Sequence, residues 1–437
     1  ALWLALVSQY YMGYMLCLFS ALYFVYLAGQ AKIGLRAFFR RLGAFVPASL
    51  LAAGLAAAVL IPAVYTVLRG YSLFDVSLLT LTPVNTALSV LYKAYTASTG
   101  VLQLKSGGPN YYVGIPLLVL ALSYFACSAV PPRKRLWSLG LLAVFVLSFL
   151  FTGPYLVWQA FNLPNYFPAR FSFLFSFLLV DLAWQGAAAI PRSGQRRLTV
   201  WTVALAAAFL LLTAVLLSQL QYIEYLARKT VLLDAVFFCA ACALLLWLRH
   251  TKKLRKTALI LLCCMQAVGL MLNSYYAIVR LDEIWSATAA EYTQETERGT
   301  ALVNRVTDAD DSLYRMELNF HRTDTDPFAY DYNGLTHFSP DADAVMIDFA
   351  KKVGLLQTYY HIRYSAGTTP VLDSLLGVKY LLRKDGISFE PLPEGYTELW
   401  TDGGVTAYEN TYALPFAYLA PRQTLELAGD TAFENQN

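Results

Sequence analysis

The sequence predicts a polytopic α-helical membrane protein, with about eight transmembrane helices, followed by an extracytoplasmic α+β domain. Three observations predict it. Of the 437 residues, 57% are hydrophobic and only 14% are charged, with a mean hydropathy of +0.48, which is too apolar for a soluble chain of mixed structure. The acids are segregated: Asp75, Asp181, Glu224 and Asp234 are the only ones before residue 281, and the other 25 of 29 lie from Asp282 onward. Basic residues cluster in every second connection between apolar stretches, so the net charge of +4 reports topology rather than nucleic-acid binding.

A spanning helix needs roughly twenty apolar residues. Eight stretches qualify: about 4–28, 44–68, 111–130, 136–153, 171–190, 198–218, 230–248 and 257–279. The connections after the first, third, fifth and seventh hold Lys32, Arg36, Arg40 and Arg41; Arg133, Lys134 and Arg135; Arg192, Arg196 and Arg197; and Arg249, Lys252, Lys253, Arg255 and Lys256. The alternate connections hold only Arg69, Lys93, Lys105, Arg170, Arg228 and Lys229. Fifteen basic residues against six place the first set in the cytoplasm and leave the polar tail outside. The expected division is a transmembrane domain over 1–280, with exterior loops 69–110 and 154–169, and an extracytoplasmic domain over 281–437. The chain opens at Ala1 inside an apolar stretch and stops at Asn437 without a terminating signal, so it reads as a segment of a longer protein.

Within the exterior loops, YSLFDVSLLTLTPVNTALSVLYKAY predicts a helix lying along the outer interface, and GPYLVWQAFNLPNYFP predicts an ordered aromatic loop at headgroup depth. The tail opens with an expected helix through IWSATAAEYTQETERGTALVNRV. Strand-like runs follow at SLYRMEL, GVKYLL, YTELW, VTAYEN and FAYLA, separated by Gly, Pro and Asp turns.

Arg170 stands directly before an apolar run that encloses Asp181. Eleven residues at 100° each make three turns plus about 20°, so a helix through both would align them on one face, roughly 16 Å apart. Phe173, Phe177 and Trp184 fall near the same stripe. Arg170 reads either as an interfacial anchor or as a phosphate ligand, whose planar guanidinium grips phosphate through paired hydrogen bonds. An acid at the depth of Asp181 usually pairs within the bundle or faces a wet cavity. Tyr10, Tyr11 and Tyr14, at the exterior end of the first span, form either an aromatic belt or a platform for sugar rings. Asp75 is the one acid of the long exterior loop and reads as a solvated side chain, an auxiliary base or a metal ligand.

Other chemistries find no motif. The six cysteines all lie in apolar spans, and Cys239-Ala-Ala-Cys242 reads as helix packing. His321, His337 and His361 lack metal-ligand spacing, and the exterior acids are not grouped like a metal site, so no cofactor is indicated, although a divalent metal is compatible with the chemistry below. A glycine-rich phosphate loop and a Ser-His-Asp signature are both missing, which leaves a soluble nucleotide-sugar mechanism unsupported.

NYFPARFSFLFSFLL, SQYYMGYMLCLFSALYF and GPNYYVGIPLLVLALSYF resemble the bacterial YfhO family of membrane proteins. In the tail, SLYRMEL, YDYNGLTHFSP, GTTPVLDSLLGVKYLL and AYENTYALPFAYL resemble that family in order and spacing. The resemblance covers nearly the whole chain. It implies a GT-C type glycosyltransferase that moves a sugar from a polyprenyl-phosphate carrier to a cell-surface polymer, such as teichoic acid, on the outer face of a bacterial membrane. Positions matching the family's strings are Tyr10, Tyr11, Gly13, Pro109, Asn110, Tyr112, Gly114, Pro164, Arg170 and Phe173. The resemblance also implies that the catalytic acid sits on a first exterior loop upstream of Ala1.

Such transfer needs a base for the acceptor proton and positive charge for the departing phosphate. The expected donor-binding set is Arg170, Arg69, Tyr10, Tyr11, Asn110 and Tyr112; Asp75 is the one catalytic candidate, and Asp181 is an intramembrane polar group. Lys93, Lys105, Arg228, Lys229 and Arg280 are further exterior cations. The expected partners are the lipid bilayer, a polyprenyl-phosphate-linked sugar and a cell-wall polymer acceptor, with no nucleic acid. Two other classes compete: a transporter or flippase of a lipid-linked saccharide, and a non-catalytic scaffold that binds surface polymer.

Overall fold

The architecture comes from a computed structural model. The structure describes residues 1–69, 80–100, 103, 107–161, 166–223, 226–248, 252–280, 287–339, 342–358, 360–364, 368–387, 394–419 and 421. The chain divides into two compact units, one formed by Ala1–Pro62 with Phe74–Ser286 and the other by Ala63–Leu73 with Ala287–Asn437.

The first unit is helical. Its elements are α1 (Leu2–Ser8), α2 (Tyr10–Gln30), α3 (Leu35–Leu55), the start of α4 (Ala57–Arg69), α5 (Ala87–Tyr92), α6 (Ile115–Ser123), α7 (Pro132–Leu150), α8 (Thr152–Trp158), α9 (Ser172–Ala189), α10 (Gln195–Gln219), α11 (Arg228–Trp247) and α12 (Lys252–Val279). Among the described residues, six helices are long and apolar enough to cross a membrane: Tyr10–Gln30, Leu35–Leu55, Ser172–Arg192, Gln195–Gln219, Arg228–Trp247 and Leu254–Val279.

Three expected elements differ. The stretch expected at 44–68 is interrupted at Ala56, where α3 ends before the shorter α4 begins. The stretch expected at 111–130 contains only the nine-residue α6, because Gly114 sits at φ +88°, the left-handed region, and the turns after Ser123 leave the helix. The interfacial helix expected from residue 71 shrinks, among the described residues, to α5. Its continuation turns inward: Tyr92, Lys93, Tyr95 and Thr96 are all buried. Val90, Tyr92 and Tyr95 are thus packing positions, while Ala87 and Leu91 stay exposed.

The core of this unit is aromatic. Phe171 stacks on Phe149 and on Trp158 with ring centroids 5.2 Å apart in both cases, and Phe209 lies 4.0 Å from Phe238. Helix α9 approaches α6 closely because Gly186 has no side chain; a Cβ there would lie 2.5 Å from the Leu120 carbonyl oxygen.

The second unit is α+β. Helix α13 (Ala289–Thr307) starts at a capping box in which Thr288 and Glu291 each bond the other's backbone N–H. It buries Leu302, Val303 and Val306 in one cluster with Met316, Leu318, Leu382 and Ala407. These belong to β1 (Arg315–Leu318), β5 (Val378–Lys384) and β7 (Val405–Asn410), which with β6 (Tyr396–Asp402) form a sheet of order β1-β5-β7-β6. β1 pairs parallel to β5, and the remaining pairs are antiparallel. Gly403 and Gly404, both at positive φ, close the β6–β7 hairpin. A second sheet, order β2-β4-β3, joins β2 (His337–Phe338), β3 (Leu356–Thr358) and β4 (His361–Ile362). Helices α14 (Asp326–Tyr330), α15 (Ala344–Lys352) and α16 (Pro370–Leu375) connect the strands.

Four of the five expected strand runs contain strands. FAYLA shows none at its described residues 416–419: just before it Leu414 N donates to Ser374 O at 3.0 Å and Pro415 has no N–H to pair, and Leu419 is fully exposed.

Candidate functional site

Arg170 lies two residues ahead of α9 rather than within it, since regular helix begins at Ser172. The alignment expected for a helix through Arg170 and Asp181 therefore fails at its first residue. The guanidinium sits 5.1 Å from the centroid of the Tyr11 ring. Its Nη2 donates to Tyr166 O at 3.0 Å and its Nε to Phe167 O at 3.3 Å. The Tyr11 hydroxyl donates to Gln159 Oε1, and Tyr14 donates to Val157 O at 2.8 Å. Gln159 is fully buried, and its side chain also lies within hydrogen-bonding reach of the Tyr155 hydroxyl.

The backbone around this group is strained. Ala160, Phe161, Phe167 and Ala169 all have φ between 49° and 62° although none is glycine. Ala169 N is held by the Tyr155 hydroxyl at 2.9 Å, and the Phe171 stack fixes the next residue. Tyr10 is the half-buried first residue of α2.

A second polar group adjoins the first. Ser172, at the start of α9, donates its hydroxyl to Asn110 O at 2.8 Å. Asn110 Oδ1 accepts from Thr99 Oγ1 at 3.1 Å and from Lys93 Nζ at 3.3 Å; Lys93 also donates to Ser98 O at 2.8 Å. Burial lowers the Lys93 ammonium to a pKa of about 7. The following residue pairs are deeper. Thr96 donates its N–H and its hydroxyl to the two oxygens of Asp234, and the same hydroxyl meets Tyr112 OH at 2.8 Å. Ala97, at φ 60°, donates to Asn273 Oδ1 at 3.0 Å and accepts from Arg280 Nη1 at 2.6 Å.

The structure thus brings Arg170, Tyr11 and Gln159 together, and links Asn110 to Lys93 and Tyr112 to Thr96. It does not bring Asp181 to Arg170: Asp181 accepts from Gln185 Nε2 at 2.8 Å and Tyr23 OH at 3.5 Å, beside the exposed Phe177 and Trp184. Arg69 stacks over Tyr65 at 4.6 Å in the other unit. Asp75 and Lys105 lie outside the described residues. Gln159, Thr96 and Asp234 were not singled out from sequence. The signal for Asp234 was present, since a lone acid inside a spanning helix marks a site that needs a partner.

In the second unit two histidines lie against acids, while His337 Nδ1 lies 3.2 Å from Leu335 O. Asp324 takes His361 Nδ1 at 2.5 Å and Arg363 Nε; His321 Nε2 lies 3.7 Å from Glu317 Oε2. Among the described residues no three His, Cys, Asp or Glu side chains are grouped to hold a metal ion.

Spanning helices, a polar α+β unit and a cation set on a tyrosine beside buried amides define a multi-pass membrane protein with a polar site at one end of its helical unit. The family model described as "Bacterial membrane protein YfhO" matches residues 1–437, the whole chain, and the protein belongs to that family. No curated protein and no solved structure matches the chain.

Proposed function

We propose that this protein is a membrane glycosyltransferase of GT-C type, taking a sugar from a polyprenyl-phosphate carrier and passing it to a cell-surface polymer such as teichoic acid on the outer face. In this reading the helical unit crosses the membrane about eight times, and the unit from residue 287 stands outside. The observation that carries it is Arg170 on Tyr11, in a backbone held in left-handed conformations beside the buried Gln159 side chain. Such strain concentrates where a ligand must be met.

Arg170 holds the carrier phosphate, with Nη1, which takes no partner among the described residues, turned to its oxygens. Tyr11 and Tyr10 offer ring faces to the sugar, and Asn110, exposed and anchored by Ser172, offers its amide. Lys93 and Tyr112 act behind this surface, one on Asn110 and the other on Thr96. The acceptor hydroxyl attacks the anomeric carbon, the bond from that carbon to the phosphate oxygen breaks, and a carboxylate takes the proton. Asp75 is this chain's candidate for that carboxylate. Asp234 is already committed to Thr96, and Asp181 lies too deep.

The test is turnover. Purified full-length protein, given a polyprenyl-phosphate sugar and a polymer acceptor, releases polyprenyl phosphate. Absence of turnover, together with movement of the saccharide across sealed vesicles, assigns transport instead.

A further inference from the structure

Helix α9 has different chemistry at its two ends, about 27 Å apart for eighteen residues. At the end away from Arg170, the residues Gly194, Arg196, Arg197, Val200, Trp201 and Ala204 contribute to an open groove of about 620 Å³. Arg196 and Arg197 are exposed on the first turn of α10, and neither has an ion pair among the described residues. Arg135 lies within electrostatic reach of Arg197. It is anchored by Nη2 to Cys127 O at 2.6 Å and Val130 O at 2.8 Å, while its buried Nε has no partner.

No acid of the neighbouring elements balances these charges. The chain has no Asp or Glu between Asp75 and Asp181, nor between Asp181 and Glu224, so α6, α7 and α10 are free of acids and α9 carries only the distant Asp181. The groove then changes character within two turns. Trp201 donates Nε1 to Leu122 O at 3.2 Å and leaves its ring 39% exposed, next to the exposed Val200 and Ala204. α10 is itself one of the six described helices long and apolar enough to cross a membrane. A cationic rim above an apolar wall on a spanning helix matches an amphiphilic anion.

We propose that this groove binds the anionic headgroup of a phospholipid, with its phosphate between Arg196 and Arg197 and an acyl chain along Val200, Trp201 and Ala204. Free phosphate shares the headgroup chemistry but has nothing to place on the apolar wall, so the lipid is the occupant the groove fits. The site is separate from the proposed donor site and does not depend on the glycosyltransferase reading.

The experiment uses the full chain in phosphatidylcholine vesicles doped with either phosphatidylglycerol or phosphatidylcholine brominated on its acyl chains. Quenching at Trp201 is read as the difference between wild type and Trp201→Phe. Brominated phosphatidylglycerol should quench Trp201 several-fold more than brominated phosphatidylcholine at the same fraction. The excess should vanish in Arg196→Gln/Arg197→Gln and persist in Arg40→Gln/Arg41→Gln, which removes the same charge elsewhere. Equal quenching by the two lipids in wild type overturns the proposal, whether or not either variant folds. Loss of the excess in both double variants also overturns it, as attraction to overall charge. Loss of the excess when inorganic phosphate is added assigns the groove to free phosphate and overturns the lipid.

Discussion

Thr96 gives Asp234 both of its donors, the backbone N–H to Oδ2 and the hydroxyl to Oδ1, each at 2.6 Å. The pair ties the segment after α5 to the interior of α11. Because the acid is 1% exposed, removing its charge leaves donors unmet rather than hydrated. Asp234→Asn should destabilise the helical unit by about 1–3 kcal/mol, and adding Thr96→Val should cost little more. Thermal unfolding in detergent measures both; fully additive losses would rule out the pair as a unit.

Arg170→Lys keeps the charge but loses the planar fork and its stacking on Tyr11. The expected result is weaker binding of a short-chain polyprenyl phosphate by about tenfold or more, with little change in unfolding temperature. Unchanged affinity would remove Arg170 from the phosphate site. Tyr11→Phe keeps the ring and should affect binding less, while removing the hydrogen bond from Tyr11 to the Gln159 side chain.

Burial of Glu317 raises its carboxyl from 4.5 to about 7, despite donation from Thr336 N and Thr336 Oγ1. Burial lowers the His321 imidazole below 6.5. Glu317 makes the native state hold the extra proton, so its contribution is complete below about pH 4.5 and is lost as pH rises through about 7. His321 acts in the opposite sense: its contribution is present above 6.5 and is lost as pH falls below it. His321→Gln should therefore leave stability that declines from about pH 5 to 7, and Glu317→Gln stability that rises over that window. Urea midpoints of the second unit, followed by pulse proteolysis of the full chain, separate the two. Slopes of the same sign in both variants contradict the assignment.

Gly186→Ala should be costly for so small a change. The new Cβ would meet the Leu120 carbonyl oxygen at 2.5 Å, and backbone on α6 cannot step aside as a side-chain tip can. A loss of about 1–3 kcal/mol is expected, read as a lower unfolding temperature. Gly140→Ala is the matched control, with nothing within 4 Å of its Cβ.

Orientation is tested by single cysteines in a background without the six native ones. A membrane-impermeant maleimide applied to intact cells should label Asp311→Cys and spare Gln195→Cys. The reverse pattern would put the second unit in the cytoplasm and end the outer-face reading.

Sequence alone made the class legible because hydropathy is a property of whole windows: spans at Tyr10–Gln30 and Gln195–Gln219 need no partner to be recognised. The helix at Ala289–Thr307 and the strands around Val378 and Val405 carried their own caps and hairpin glycines. What failed depended on contacts across the fold. Tyr92, Lys93 and Tyr95 read as an interfacial stripe until Gln219, Asn110 and Thr213 received them. Arg170 read as the first residue of a helix that starts two residues later. Thr96 and Asp234, 138 residues apart, leave no spacing that a local pattern detects.

The left-handed residues at 160, 161, 167 and 169 also constrain what the loop before α9 can become. Branching at Cβ is incompatible with that geometry, whereas glycine, asparagine and aspartate accept it. In a saturation library, Val, Ile and Thr should be depleted at these four sites as strongly as in the aromatic core. The same bias, followed through descendants of this chain, would mark the loop by what it refuses to accommodate.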